Sequence, residues 1–114
     1  MQAMLQSAHS RASGNPRIDL MTFFVYILAS CRHGTLYTGM TDNLARRIWE
    51  HQTATSAGFT RKYGVKILVW YELHESRETA FQRDRQLEKW NRAWKIELIE
   101  RLNPNWHDLV CELI

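Results

Sequence analysis

The polar residues able to do chemistry are few, and their spacing is regular. Tyr26 and Tyr37 stand eleven residues apart, Arg47 follows Tyr37 by ten, and His51 follows Arg47 by four. Each tyrosine lies in an apolar stretch, where a buried phenol needs a partner for its hydroxyl. The plain alternative is that both rings only fill the core. Arg47 and His51 are one helical turn apart. Leu44 points nearly the same way, so the pair lies beside a buried stripe, not opposite it. Arg46 and Glu50 form an outer i,i+4 pair worth about 0.3 kcal/mol. Asp84 is three residues from Phe81 and Leu87 and four from Ala80, so it interrupts an apolar stripe. A carboxylate there must be paired or bind a metal. Glu88 follows one turn later, and the competing explanation is an ion pair with Arg85, Lys89 or Arg92. Gly39 sits inside a strand, which points to a bulge or a close backbone approach.

These side chains need elements to hold them. Phe23–Ala29 is short, aromatic and β-branched, and reads as a buried strand. A turn over 30–34 leads to a second strand over 35–40, so the pair is expected to be an antiparallel hairpin. Thr41 or Asp42 can cap a helix that fades near Thr53, with Leu44, Ala45, Ile48 and Trp49 on its apolar side. Residues 65–73 give the strongest strand signal. Ser76 can cap a helix over 77–89 with Ala80, Phe81 and Leu87 inward, and Asn91 a helix over 92–102 that Asn103-Pro104 stops. The order β-β-α-β-α-α predicts an α+β domain: a three-stranded antiparallel or mixed sheet flanked by helices. The domain spans 22–103, behind an expected poorly ordered extension (1–21) and before a short helical tail (104–114) that closes over the core.

The chain has 114 residues, 15 Lys and Arg, and 12 Asp and Glu, a formal charge of +3. That is one domain without room for a second core. Two cysteines are too few for a disulfide framework, and a reduced cytoplasmic setting is expected. The longest apolar run is far shorter than the roughly 20 residues of a membrane span. The basic residues are clustered: Arg61, Lys62 and Lys66 in one group, and Arg83, Arg85, Lys89, Arg92 and Lys95 in another. Such clusters suit a polyanion, and they equally suit solvated helix faces.

In order and spacing, Val25-Tyr26-Ile27, Tyr37-Thr38-Gly39, Arg47, His51 and a later helical acid resemble the GIY-YIG nuclease domain, most closely its small stand-alone bacterial members. The resemblance covers residues 23 to about 103. Val25-Tyr26-Ile27 lacks the Gly of the first motif, Thr38 stands where the second has Ile, and Asp84 where the family has its metal-binding Glu. The resemblance implies metal-dependent phosphodiester hydrolysis, in DNA more than RNA, with Mg²⁺ or Mn²⁺. Asp84 would hold the metal, with Glu88 as the other candidate. Arg47 would grip phosphate oxygens, and a tyrosine or His51 would handle the water's proton. Gly39 would be structural, and Asn103 loosely matches a later family asparagine. Arg61, Lys62, Arg85, Lys89 and Arg92 would track the nucleic-acid backbone. A monomer without membrane contact is expected. The second reading is a nucleic-acid-binding module without catalysis. The third is a protein-interaction domain using a patch of Trp90, Trp94 and Trp106.

Overall fold

The structure, a computed structural model, describes residues 22–52 and 64–113. The elements run β1 (Phe23–Ala29), β2 (Leu36–Thr41), α1 (Leu44–Gln52), β3 (Ile67–His74), α2 (Arg77–Lys89), α3 (Arg92–Leu102) and a 3₁₀ turn (Leu109–Leu113). The strands form one sheet in the order β2-β1-β3. Both pairings are antiparallel, which settles the fold as α+β and removes the mixed alternative. Ser76 and Asn91 cap α2 and α3 as their sequence positions predict. The first helix is capped differently. Asn43 Oδ1 accepts from Arg46 N at 3.2 Å, and Thr41 Oγ1 accepts from Asn43 N at 3.1 Å, so Thr41 supports the cap without being it.

Alternation along β1 divides the core into two layers. Val25, Ile27 and Ala29 meet Ala80 and Leu87 of α2 and Ile99 of α3. Tyr26 and Leu28 point the other way, against Leu44 and Ile48 of α1. A bulge in β3 sets the phase. Ile27 pairs with Trp70 and Leu28 with Leu68, so Val69 is left out of the ladder. Val69 and Trp70 therefore share the α2/α3 face, while Tyr71 returns to the face of Tyr26.

Several side chains depart from the sequence expectation. Ala45 is exposed, and Trp49 is 59% exposed; His51 completes the buried stripe of α1 instead. Phe81 is 50% exposed, and the buried stripe of α2 is Ala80, Asp84 and Leu87. On a helix of 3.6 residues per turn, Phe81 stands about 60° from Asp84, on the flank away from Ala80 and Leu87. Trp106 is buried, Trp90 half-buried and Trp94 exposed, so the three tryptophans do not make one patch. Among the described residues, no helix is long and apolar enough to cross a membrane.

The segment after α3 is held by Asn103, which is 4% exposed. Its Nδ2 donates to the carbonyls of Val69 (3.1 Å) and His107 (2.9 Å), and its Oδ1 accepts from His107 N (3.0 Å). The carbonyl of the bulged Val69 thus finds its partner in a side chain. Losing a buried bridge leaves its partners unsatisfied, at about 1–3 kcal/mol per group. Asn103→Ala is therefore expected to lower unfolding free energy by about 3 kcal/mol, read as a shift of the urea midpoint at constant slope. An unchanged midpoint would show that this asparagine is not a structural tie.

Candidate active site

Tyr26 is the centre of the polar cluster on the α1 face. It is 1% exposed and pairs across β1–β2 with Gly39. A methyl group on Gly39 would stand 2.7 Å from the Tyr26 hydroxyl, so the ring occupies space that any other residue would fill. This is the close approach expected from a glycine inside a strand. The hydroxyl lies 3.4 Å from His51 Nε2. Tyr37 joins from β2, its ring centroid 5.5 Å from the His51 ring and 6.4 Å from that of Tyr26. Arg47, half-buried one turn before His51, reaches the same phenol.

The electrostatics assign these groups different roles. Burial pushes the Tyr26 phenol up, against the Arg47 guanidinium that would lower it, and burial wins at about 12. Tyr26 is therefore a hydroxyl, not a phenolate, at neutral pH. Burial lowers the His51 pKa, and the Arg47 charge lowers it further. The imidazole stays neutral and can accept a proton. Arg47 is held cationic, first by the Tyr26 phenol, with Glu50 adding to the effect. Glu50 is the partner that its i,i+4 spacing to Arg46 assigns only to the outer face. Its carboxylate meets Arg46 at 3.4 Å and Arg47 at 3.3 Å, and the i,i+3 spacing to Arg47 is the signal that points to the second contact.

Asp84 reaches the site differently from the other four residues. It lies on α2, in the layer against the opposite sheet face, yet its charge is among those that raise Tyr26. Asp84 is 9% exposed, and among the described residues its Oδ1 has no hydrogen-bond partner. Burial, then the neighbouring Glu88 carboxyl, raises its pKa to about 6. A buried acceptor without a donor, beside a second carboxyl, fits a hard cation with oxygen ligands. Among the described residues no three His, Cys, Asp or Glu side chains gather as a metal site. An ion here would be held by one or two carboxylates and keep most of its waters.

The predicted backbone-tracking cations divide into three groups. Arg61 and Lys62 lie outside the described residues. Arg85 and Lys89 are exposed on α2, with the Arg85 guanidinium 5.5 Å above the Phe81 ring. Arg92 is exposed but donates to the carbonyls of His33 and Gly34 in the β1–β2 turn, where His33 has a left-handed φ of 58°. Its first task is to tie that turn to α3. Tyr71, opposite Tyr26 on β3, carries no signal of its own in the sequence. Its hydroxyl donates to Glu112 at 2.9 Å, and burial raises its pKa to about 12.

The raised phenols carry a pH signature. Unfolded phenols ionise near 10, while Tyr26 and Tyr71 hold their protons to about 12. Stability is therefore full below pH 10 and falls as pH rises from 10 towards 12. Phenolate absorbance of the folded protein should show late-ionising groups, one of them lost in Tyr26→Phe. Ordinary ionisation of every tyrosine in the folded protein would refute the burial of Tyr26.

Residues 22–97 match the GIY-YIG catalytic domain. A UPF0213 protein of Clostridium perfringens is 40% identical over 76 residues, covering 67% of this chain and 81% of that protein. A UPF0213 protein of Desulfotalea psychrophila is 38% identical over 86 residues, covering 75% and 77%. The solution NMR structure of a UPF0213 protein from Bacillus halodurans aligns with a TM-score of 0.49 at 31% identity, covering 77% of this chain and 93% of that one. With the family's matched span containing Tyr26, Tyr37, Arg47, His51 and Asp84, the chain belongs to the GIY-YIG domain family.

Proposed function

We propose that this protein is a divalent-metal-dependent endonuclease that hydrolyses phosphodiester bonds, in DNA ahead of RNA, acting as a cytoplasmic monomer. The observation that carries the reading is the meeting of Tyr26, Tyr37, Arg47 and His51 around one buried phenol. Arg47 donates to the non-bridging oxygens of the scissile phosphate, where its fixed charge opposes the charge that develops there. Tyr26 keeps its proton and orients the attacking water or an oxygen of the phosphate. Neutral His51 accepts the water's proton, directly or through the Tyr26 hydroxyl 3.4 Å away. Tyr37 packs its ring against His51, and its hydroxyl joins in orienting the attacking water. Asp84, with Glu88 beside it, would hold Mg²⁺ or Mn²⁺, which supplies positive charge to the phosphate and the leaving oxygen. Arg85 and Lys89 follow the backbone without reading bases, together with Arg61 and Lys62.

A second reading is a binding module without turnover. It is favoured by one observation: Asp84 comes from the layer opposite the tyrosines. Tight, salt-sensitive binding without cleavage in Mg²⁺ or Mn²⁺ would select it.

Cleavage of labelled DNA in Mg²⁺ or Mn²⁺ tests the first reading. Arg47→Ala and Tyr37→Phe are expected to lose about a hundredfold or more in rate while circular dichroism stays native. Parental cleavage by the double variant would reject the site. Asp84→Asn should suppress metal-dependent cleavage more severely than Glu88→Gln, measured as rate against metal concentration. The reverse order would move the metal to Glu88.

A further inference from the structure

The solvent flank of α2 beside Asp84 carries an unusual set of side chains. Measured around the helix from Asp84, Glu88 lies at about 40°, Phe81 at about 60° and Arg85 at about 100°. All three are exposed, whereas Ala80 and Leu87, on the other side of Asp84, are buried. Phe81 is 50% exposed and belongs to neither core layer. Covering the exposed half of such a ring is favourable, yet the fold leaves it open. One of its faces is already defined by Arg85, whose guanidinium sits 5.5 Å from the ring centroid. An arginine stacked on an exposed aromatic is held there by the attraction of its charge for the ring face. It also presents an anion-binding charge next to a flat apolar surface.

The position of this pair matters more than its exposure. Residues three apart on a helix hold their Cβ atoms about 5–6 Å from each other. A phosphate drawn to an ion at Asp84 would carry its own nucleotide to within reach of Phe81. A base still stacked inside a duplex offers no free face to a phenyl ring, whereas an unstacked base offers one to any aromatic. We infer that Phe81, backed by Arg85, is the stacking platform for an unpaired base next to the phosphate that is cut. This rests on the nuclease reading above and narrows its substrate to single strands, loops or flaps, ahead of continuous duplex. Phe81 is a positioning residue: it holds the nucleotide and takes no part in moving protons or charge.

The test uses the full chain and an oligonucleotide with one 2-aminopurine, offered single-stranded and as its duplex. Fluorescence is followed in Ca²⁺, and cleavage is followed separately in Mg²⁺ and Mn²⁺. Stacking is expected to quench the single-stranded probe, and cleavage should favour it over the duplex by about tenfold or more. Phe81→Ala and Phe81→Leu should lose the quenching and raise KM by about tenfold with kcat little changed. Phe81→Trp should restore both, and Arg85→Gln should weaken binding with a shallower salt dependence. Cleavage of duplex as readily as single strand, or unaltered quenching and KM in Phe81→Ala, would overturn the inference while leaving the nuclease reading intact. If no substrate is cut, the nuclease reading fails. Fluorescence then decides the platform alone: quenching lost in Phe81→Ala supports it, and no quenching by the parent overturns it.

Discussion

A phenol buried in the middle of a sheet is the constraint on which the rest of the site depends. β1 is paired along both edges and covered on both faces, so little water reaches its side chains. A hydroxyl there must be met by protein groups or left at a cost of about 1–3 kcal/mol. The missing side chain of Gly39 gives the ring its room, and α1 lays Arg47 and His51 against the ring's polar end. The buried stripe of α1 is built to do this, since Leu44 and Ile48 dock the helix and His51 replaces a further apolar residue in line with them.

The two layers divide the chemistry between them. The α1 face supplies hydrogen-bonding and cationic groups, and the α2 face supplies the carboxylates. A raised Asp84 and a lowered His51 share a cause, since each is a charge that burial disfavours. Burial moves the Asp84 carboxyl towards neutral pH, where it can exchange a proton or take a counter-charge, and moves the His51 imidazole away from it, so that the ring rests neutral. The hydrophobic layers around them also suppress competing contacts with solvent, so the orientation of these groups follows from packing.

Much of this is legible from the residues alone, and the failures have physical reasons. The bounds of β1 follow from an unbroken apolar run, and those of α2 and α3 from the punctuation of Ser76, Asn91 and Asn103-Pro104. Tyr26, Tyr37, Arg47 and His51 stand out by spacing together with the family resemblance. Phe81 and Trp49 look like core residues when hydrophobicity is counted without resolving which flank of the helix each one occupies. The bulge at Val69 is invisible, since a run such as Ile67-Leu68-Val69-Trp70 looks the same with or without a phase change. Arg92 looks like a free cation because its partners are backbone carbonyls of a turn far away in sequence. A sequence names side chains, and it hides the carbonyls they will meet.

The segment after α3 also shields the sheet. Asn103 and Asp108 engage backbone groups of Val69 and Leu68 that the ladder with β1 does not use, and Glu112 holds Tyr71 beside them. A sheet border with unoccupied amides and carbonyls is a template on which a neighbouring molecule can add a strand. This segment thus occupies that border at Leu68 and Val69, where an added strand would otherwise find backbone groups to pair with.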